Sequence, residues 1–385
     1  MEALKLRDMV RLLDEWYPPH LAEPWDSVGL IVGDLDAPIR KIMVALDPVE
    51  DTVEQALAYG ADLLVTHHPL FLKPVHQVSS GTYKGALVHR LIRGGCALFN
   101  AHTNADRAAG GVADSLAEAL GLVDVRPLDP ATTDARHLWS VYVPVRDTEL
   151  VTAAMARAGA GQIGEYSNCS WHTAGVGTFT ASTAASPAIG APGQTTQVAE
   201  SRVEMIADAA LRSRIEAALR DAHPYEEPAF TVTEVVPQDS GLGLGRIGRV
   251  PVPMTLGDFA RHVAAALPAT AQGIRAAGDL DALISTVAAV GGSGDSMIAL
   301  AERAGADVYV TSDLRHHPTS EARERAHGGK PFLIDTAHFA SESVWLPRLA
   351  ERLRAHAARG AGAPLFEVAH CEVRTDPWTT VFPSV

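Results

Sequence analysis

The chain opens on MEALKLRDMVRLLDEWYP, where apolar residues recur at helical spacing and put Leu4, Met9, Val10, Leu12 and Leu13 on an inward stripe. An apolar run, IMVAL (42–46), then leads through a polar turn and a stretch of helical period to a second apolar run in GADLLVT (60–66). That succession predicts strand, tight turn, helix, strand. The same order returns in VAAVGGSGDSMIALAERAGADVYVT from Val287, which aligns without a gap with the stretch from Ile42. GADLLVT and GADVYVT agree at five of seven positions. HHP also occurs in both regions, at His67–Pro69 and His316–Pro318. Further on, the apolar strands of CALFNAHTNAD (96–106) and PFLIDTAHFASE (331–342) each run into Ala-His-x-x-x-acid. Strand and helix alternate throughout, so the expected class is α/β, with two related halves of parallel strands covered by helices.

Between the halves the texture changes. HLWSVYVPV, DTELVTAAMARAG, SNCSWHTAGVGTF, ESRVEMIAD, LRSRIEAALRDAH and AFTVTEVV read as βαββαβ, the ferredoxin-like order. RPLDPATTD and PQDSGLG, both rich in turn formers, would carry the chain in and out. The expected domains are residues 1–125 and 246–385 as the two core halves and 126–245 as an inserted domain. The alternative is one sheet continuous with the core.

Composition narrows the partners. The 385 residues carry a net charge of −14, which argues against nonspecific binding to nucleic acid or anionic membrane. No apolar run has the length of a membrane span, and the N-terminus lacks the pattern of a signal peptide, so a cytoplasmic protein is expected. The three cysteines are too widely spaced for a disulfide framework or a zinc knuckle.

The sixteen histidines are the chemistry to trace. Four His-x-x-x-acid pairs occur, a number close enough to chance that spacing alone decides nothing. Position says more, because ligands gather at the carboxyl ends of parallel strands. His67 and His68 follow DLLV, His102 and Asp106 follow ALF, and His338 and Glu342 follow FLI, all along one expected sheet edge. Such mixed nitrogen and oxygen donors suit Zn, Mn, Fe or Co. Adjacent side chains on an extended strand diverge. Two histidines pointing apart, with a carboxylate to bridge, would serve two ions about 3.5–4 Å apart and activate water. The alternative is a polar strand end with helix caps.

EPWDSVGLIVG, VTHHPLF, NAHTNAD, TSDLRHHPTSEA and DTAHFASE together resemble, in order, the signature segments of the Nif-three-like family, also called GTP cyclohydrolase 1 type 2 homologues. YSNCSW, GVGTF, PAIG and HPYEEPAF are similar to the PII-like or CutA-like domain of its longer bacterial members. The resemblance implies a dinuclear divalent-metal site held by His67, His68, Asp106, His338 and Glu342, with Glu342 as the bridge, in a homohexameric ring. It also implies a metal-dependent hydrolase whose activated water attacks a nucleotide-like substrate, such as a guanine nucleotide. The other class of function is a non-catalytic metal-binding regulatory or scavenging ring. His102 and His317 match positions near the metals, as proton donors or as supports for a loop. The chain departs from the usual Thr-Gly-Asp at Thr311-Ser312-Asp313, which bears on the shape of that loop.

Other motifs carry less. GLGRIG (243–248) fits GxGxxG, but no helix follows, so it is not a dinucleotide fingerprint. Gly291, Gly292, Ser293 and Gly294 lie between strand and helix, as an anion cradle for a substrate phosphate or as a tight turn. HPYEEP (223–228) reads as a helix stop more readily than as a second metal site. Lys73, Tyr83 and Lys84 read as helix surface, or else as groups reaching into a cleft.

Overall fold

The computed structural model describes residues 4–132, 135–236, 239–359 and 365–382. The chain divides into two compact units, Met1–Ala131 with Ser240–Val385, and Thr132–Asp239. The strands of the first unit are β1 (Gly29–Val32), β2 (Lys41–Ala45), β3 (Leu63–Thr66), β4 (Ala97–Asn100), β5 (Val123–Thr132), β10 (Asp239–Thr255), β11 (Arg275–Ala277), β12 (Leu283–Ser293), β13 (Val308–Ser312), β14 (Phe332–Thr336) and β15 (Glu367–His370). Those of the second are β6 (Arg136–Pro144), β7 (Trp171–Thr180), β8 (Thr195–Asp208) and β9 (Phe230–Val235).

The first unit is a mixed α/β fold with two sheets. One has the order β1-β4-β3-β2-β15, the other β11-β14-β13-β12-β10-β5. Strands β2, β3 and β4 are parallel, and so are β12, β13 and β14. The aligned sequence stretches occupy the same register in both. Ile42 pairs with Leu63 and Val44 with Val65, as Val287 pairs with Val308 and Ala289 with Val310. Beyond Ala289 the register slips until Ser293 pairs with Ser312, because Gly291 and Gly292 fill a bulge.

The recurring GAD triplet has a structural cause. Gly60 and Gly305 adopt φ +75° and +76°, left-handed values that turn the chain from helix to strand and favour glycine. Asp62 then accepts from Arg40 N and Lys41 N at 2.7 and 2.9 Å, while Asp307 accepts from Ser285 N and Thr286 N at 2.7 and 3.0 Å. Each aspartate thus clamps the start of the neighbouring strand. The four residues of β3 are buried, as expected of a sheet covered on both faces.

The N-terminal helix, Leu6–Trp16, buries Leu6, Met9 and Leu13, with Leu4, Val10 and Leu12 half-buried around them. It shares a core with Trp345, Leu349 and Leu353 of the helix Trp345–Ala357. GLGRIG lies within β10, where Gly243 O and Gly245 O accept hydrogen bonds from the buried Arg246 guanidinium. The three cysteines are free thiols. Among the described residues no helix is long and apolar enough to cross a membrane.

The second unit runs β6, helix Thr148–Arg157, β7, β8, helix Arg212–Ala222, β9, in an antiparallel sheet of order β7-β8-β6-β9. Trp139, Val141, Val203 and Met205 face Val151, Met155, Ile215 and Leu219 of the two helices. The segments expected as turn-rich entry and exit behave differently. Arg126–Thr132 lies in β5 and Asp239–Gly243 in β10, strands that pair with each other in the larger sheet. Their prolines and glycines read as turns because strand pairing at an edge leaves no local signature.

Candidate metal centre

The expectation of one sheet edge needs correcting, since two sheets contribute. His67 and His68 follow β3 directly. His102 caps the short helix Thr103–Arg107 after β4, with Asp106 inside it. His338 and Glu342 lie on the helix His338–Ser343 after β14, in the other sheet. The carboxyl ends of both sets of parallel strands therefore meet at one cluster.

Every imidazole in the cluster is held by its Nδ1. His67 Nδ1 donates to Ala101 O at 2.9 Å and His68 Nδ1 to Asp47 at 2.6 Å. His102 Nδ1 donates to Asp26 at 2.8 Å and His338 Nδ1 to Asp313 at 2.6 Å. An acceptor on Nδ1 fixes the tautomer and leaves the Nε2 lone pair for another partner, the usual arrangement behind a metal-bound histidine. The rings of His67, His68 and His102 lie 5.0–5.5 Å apart, and that of His338 lies 5.2 Å from His68.

Glu342 sits among them, 3 % exposed. Its Oε1 is 3.0 Å from His338 Nε2 and 3.6 Å from His67 Nε2; its Oε2 is 3.1 Å from His68 Nε2. These approaches lack hydrogen-bond geometry, and three buried atoms are left without partners: His67 Nε2, Asp106 Oδ1 and Glu342 Oε2. Orphaned buried polar atoms are costly unless something pairs them. Two groups of donor atoms are close enough to hold an ion, His67 with His68 and His102, and His68 with His338 and Glu342.

The electrostatics describe a site that demands positive charge. Burial would keep His68 and His338 neutral, yet Glu342, with Asp47 beside the one and Asp313 beside the other, raises them to about 10 and about 11. Glu342 is held well below the carboxylate range: burial opposes this, but His338, His68 and His67 outweigh it. Asp106 goes the other way, to about 7, through burial and then the charge of Glu342.

Three further carboxylates join the site, though the sequence singles out none of them as a site residue: Asp26 and Asp313, which lie inside the signature segments, and Asp47. Asp47 and Asp313 stand just past the ends of β2 and β13, so the strand-end rule that located the histidines also reaches them. Asp26 accepts from Thr103 N and Oγ1 as well as His102. Despite burial, those bonds hold it far below its ordinary range. Asp47 also accepts from Thr375 Oγ1, a contact spanning most of the chain.

His317 lies apart, exposed in the first turn of the helix His316–Arg325, with His316 as its ring neighbour. The second HHP stands five residues past Thr311, not one past the strand as the first does past Thr66, so the two are not equivalent in space. Gly291–Gly294 reach the cluster differently from expectation. Gly292, at φ +68°, lies so close that an added Cβ would fall 2.3 Å from Glu342 Oε1. Gly292 N donates to Ser341 Oγ and Gly294 N to Ser312 O, and Ser293 is a ladder partner of Ser312, so the segment is tied into the sheet. HPYEEP holds its histidine with Tyr142 O at 3.0 Å and Tyr225 N at 3.1 Å, and it enters neither ion-holding group.

Fold and site define an α/β protein with a half-buried cluster of histidines and carboxylates that could hold a metal. The family model for Duf34/NIF3 (NGG1p interacting factor 3) matches residues 4–377. The chain belongs to this family. A Mycobacterium tuberculosis relative named "GTP cyclohydrolase 1 type 2 homolog" is 50% identical over 377 residues, covering 98% of this chain and 97% of that protein. The crystal structure of a Bacillus cereus protein related to NIF3 is 34% identical with a TM-score of 0.71, covering 99% of this chain and 100% of that one. A Staphylococcus aureus structure is 29% identical at the same coverages, with a TM-score of 0.82.

Proposed function

We propose that this chain is a metal-dependent hydrolase acting on a nucleotide-like substrate, in keeping with the name its relatives carry. Its centre holds two divalent ions (Zn, Mn, Fe or Co) through His67, His68, Asp106, His338 and Glu342. The supporting observation is the convergence of four Nδ1-anchored imidazoles on three buried atoms that lack partners. Those atoms are nitrogen and oxygen donors, so the residues fit such ions. Bound there, the pair would polarise a substrate and activate water near neutral pH.

The chain's own groups supply the rest. Glu342 reaches His68 and His338 with different oxygens, which supports reading it as the bridging ligand. Asp26, Asp47 and Asp313 orient the imidazoles. His102, anchored by Asp26 and beside both His67 and His68, serves as a further donor or carries a proton; His317 is left without a role. Gly292 gives Glu342 room, and Gly291, Gly292, Ser293 and Gly294 beside it are read as the place for a substrate phosphate. We further read residues 126–245 as an inserted ferredoxin-like domain between two related halves, and the assembly as a homohexameric ring.

The test is GTP consumption by protein loaded separately with Zn, Mn, Fe and Co, beside Glu342→Ala treated identically. Metal-dependent turnover that disappears in the variant is the expected result. Failure of every metal to support turnover, with two ions bound per chain, would remove GTP and favour a regulatory or scavenging ring.

A further inference from the structure

A well-formed cavity also lies away from the histidine cluster. It lies wholly in the second unit, about 670 Å³ in volume, a size that encloses small organic ligands. Its floor is the sheet face turned away from the two helices. Side chains alternate across a strand, so the pairs Thr173–Arg202 and Gly175–Glu200 share that face, opposite buried Val203 and Val141. Gly175 and Gly177 carry no side chains, which makes the hollow. The segment after β7 and the turn before β9 form its walls.

Three aromatic rings line it, Tyr142, Phe179 and Tyr225, the last two 6.0 Å apart. Between them is Glu200, only 9 % exposed. One carboxylate oxygen accepts from Tyr225 Oη at 2.8 Å; the other accepts no hydrogen bond among the described residues and lies across Gly177, where a Cβ would stand 2.0 Å away. The cavity's one guanidinium, Arg202, is already paired with Glu204 at 2.6 Å. Glu227 has Arg220 at 3.6 Å, whereas Glu226 accepts from the backbone amide of Ser186 at 3.1 Å. Among the described residues Glu200 and Glu226 are thus left without a salt-bridge partner. Neither belongs, among the described residues, to a group of donors able to hold a metal ion.

We propose that this cavity is a binding site for a small organic cation, an amine with an aromatic or aliphatic body. Its charge pairs with Glu200 and its body lies against the three rings, which attract cations through their faces. The site is independent of the metal centre and does not rest on the hydrolase reading.

The probe is phenethylamine, titrated calorimetrically into the full chain beside neutral 2-phenylethanol and anionic phenylacetate. The amine is expected to bind at least tenfold more tightly than either analogue. Glu200→Gln, which keeps shape and the Tyr225 contact, should lose that tenfold preference. Gly175→Val fills the hollow at a position where an added Cβ meets nothing within 4 Å, and should abolish binding with the circular dichroism spectrum unchanged. Equal binding of amine and alcohol, no binding of any probe, or undiminished amine binding in both variants would overturn the proposal. So would a smaller assembly in sedimentation of Gly175→Val, which would make the face a contact between copies. Should that variant fail to fold, Glu200→Gln decides.

Discussion

At the residue scale, the centre depends on groups that touch no candidate ion. A histidine ring turns about two bonds, and a single Nδ1 acceptor removes most of that freedom. Replacing Asp47 or Asp313 with alanine leaves His68 or His338 in place but free to rotate and to change tautomer. Each variant should bind divalent metal roughly 10–100-fold more weakly, measured by competition with a chromophoric chelator. Unchanged affinity would show that packing alone orients the rings. Asp47 escaped sequence reading because one carboxylate past a strand has no spacing to distinguish it, and Asp313 entered it only as the end of Thr311-Ser312-Asp313. The histidines were legible through a repeat: Ala-His-x-x-x-acid after a strand occurs in both regions, as does HHP. The expectation for His317 came from the family resemblance instead, and the structure leaves that residue exposed in the first turn of its helix.

At the level of elements, the two aspartate clamps explain why GAD recurs where the flanking residues vary. Asp307 receives two backbone amides and Lys330 Nζ at 2.7 Å, and despite burial these hold its pKa below the usual value. Asp307→Ala should cost about 1.5–3 kcal/mol, because two strand-start amides lose a charged acceptor. Urea denaturation at pH 7 measures it. The sign with pH follows from the lowered pKa: the contribution is present above the unfolded carboxylate's pKa, near 3.9, and is lost as pH falls through the folded value. The gap between wild type and variant should therefore close in acid. Strands β2, β3, β12 and β13 were readable because local period and composition determine them. That they sit in two sheets was not, since each sheet edge is set by pairing across long stretches of chain, as with β15 on β2.

For the whole molecule, the unit Thr132–Asp239 leaves and rejoins the larger one at adjacent points. Ser240 Oγ donates to Ala131 O at 2.6 Å, so the two ends already touch. A chain lacking 132–239, closed by a two-glycine link, should fold cooperatively and bind the same metal per chain as the full protein. Thermal unfolding and elemental analysis check this. Loss of metal binding would mean that the larger unit needs the smaller one to complete its site.

The bond from Thr375 to Asp47 sets an order in time. During synthesis the first histidines emerge long before Glu342 exists, and before β15 and Thr375 can secure the strand and carboxylate behind His68. An ion captured by the nascent chain would find soft, mobile ligands and no bridging group. On the metal-binding reading proposed above, ions would therefore be taken up by the finished fold, after translation.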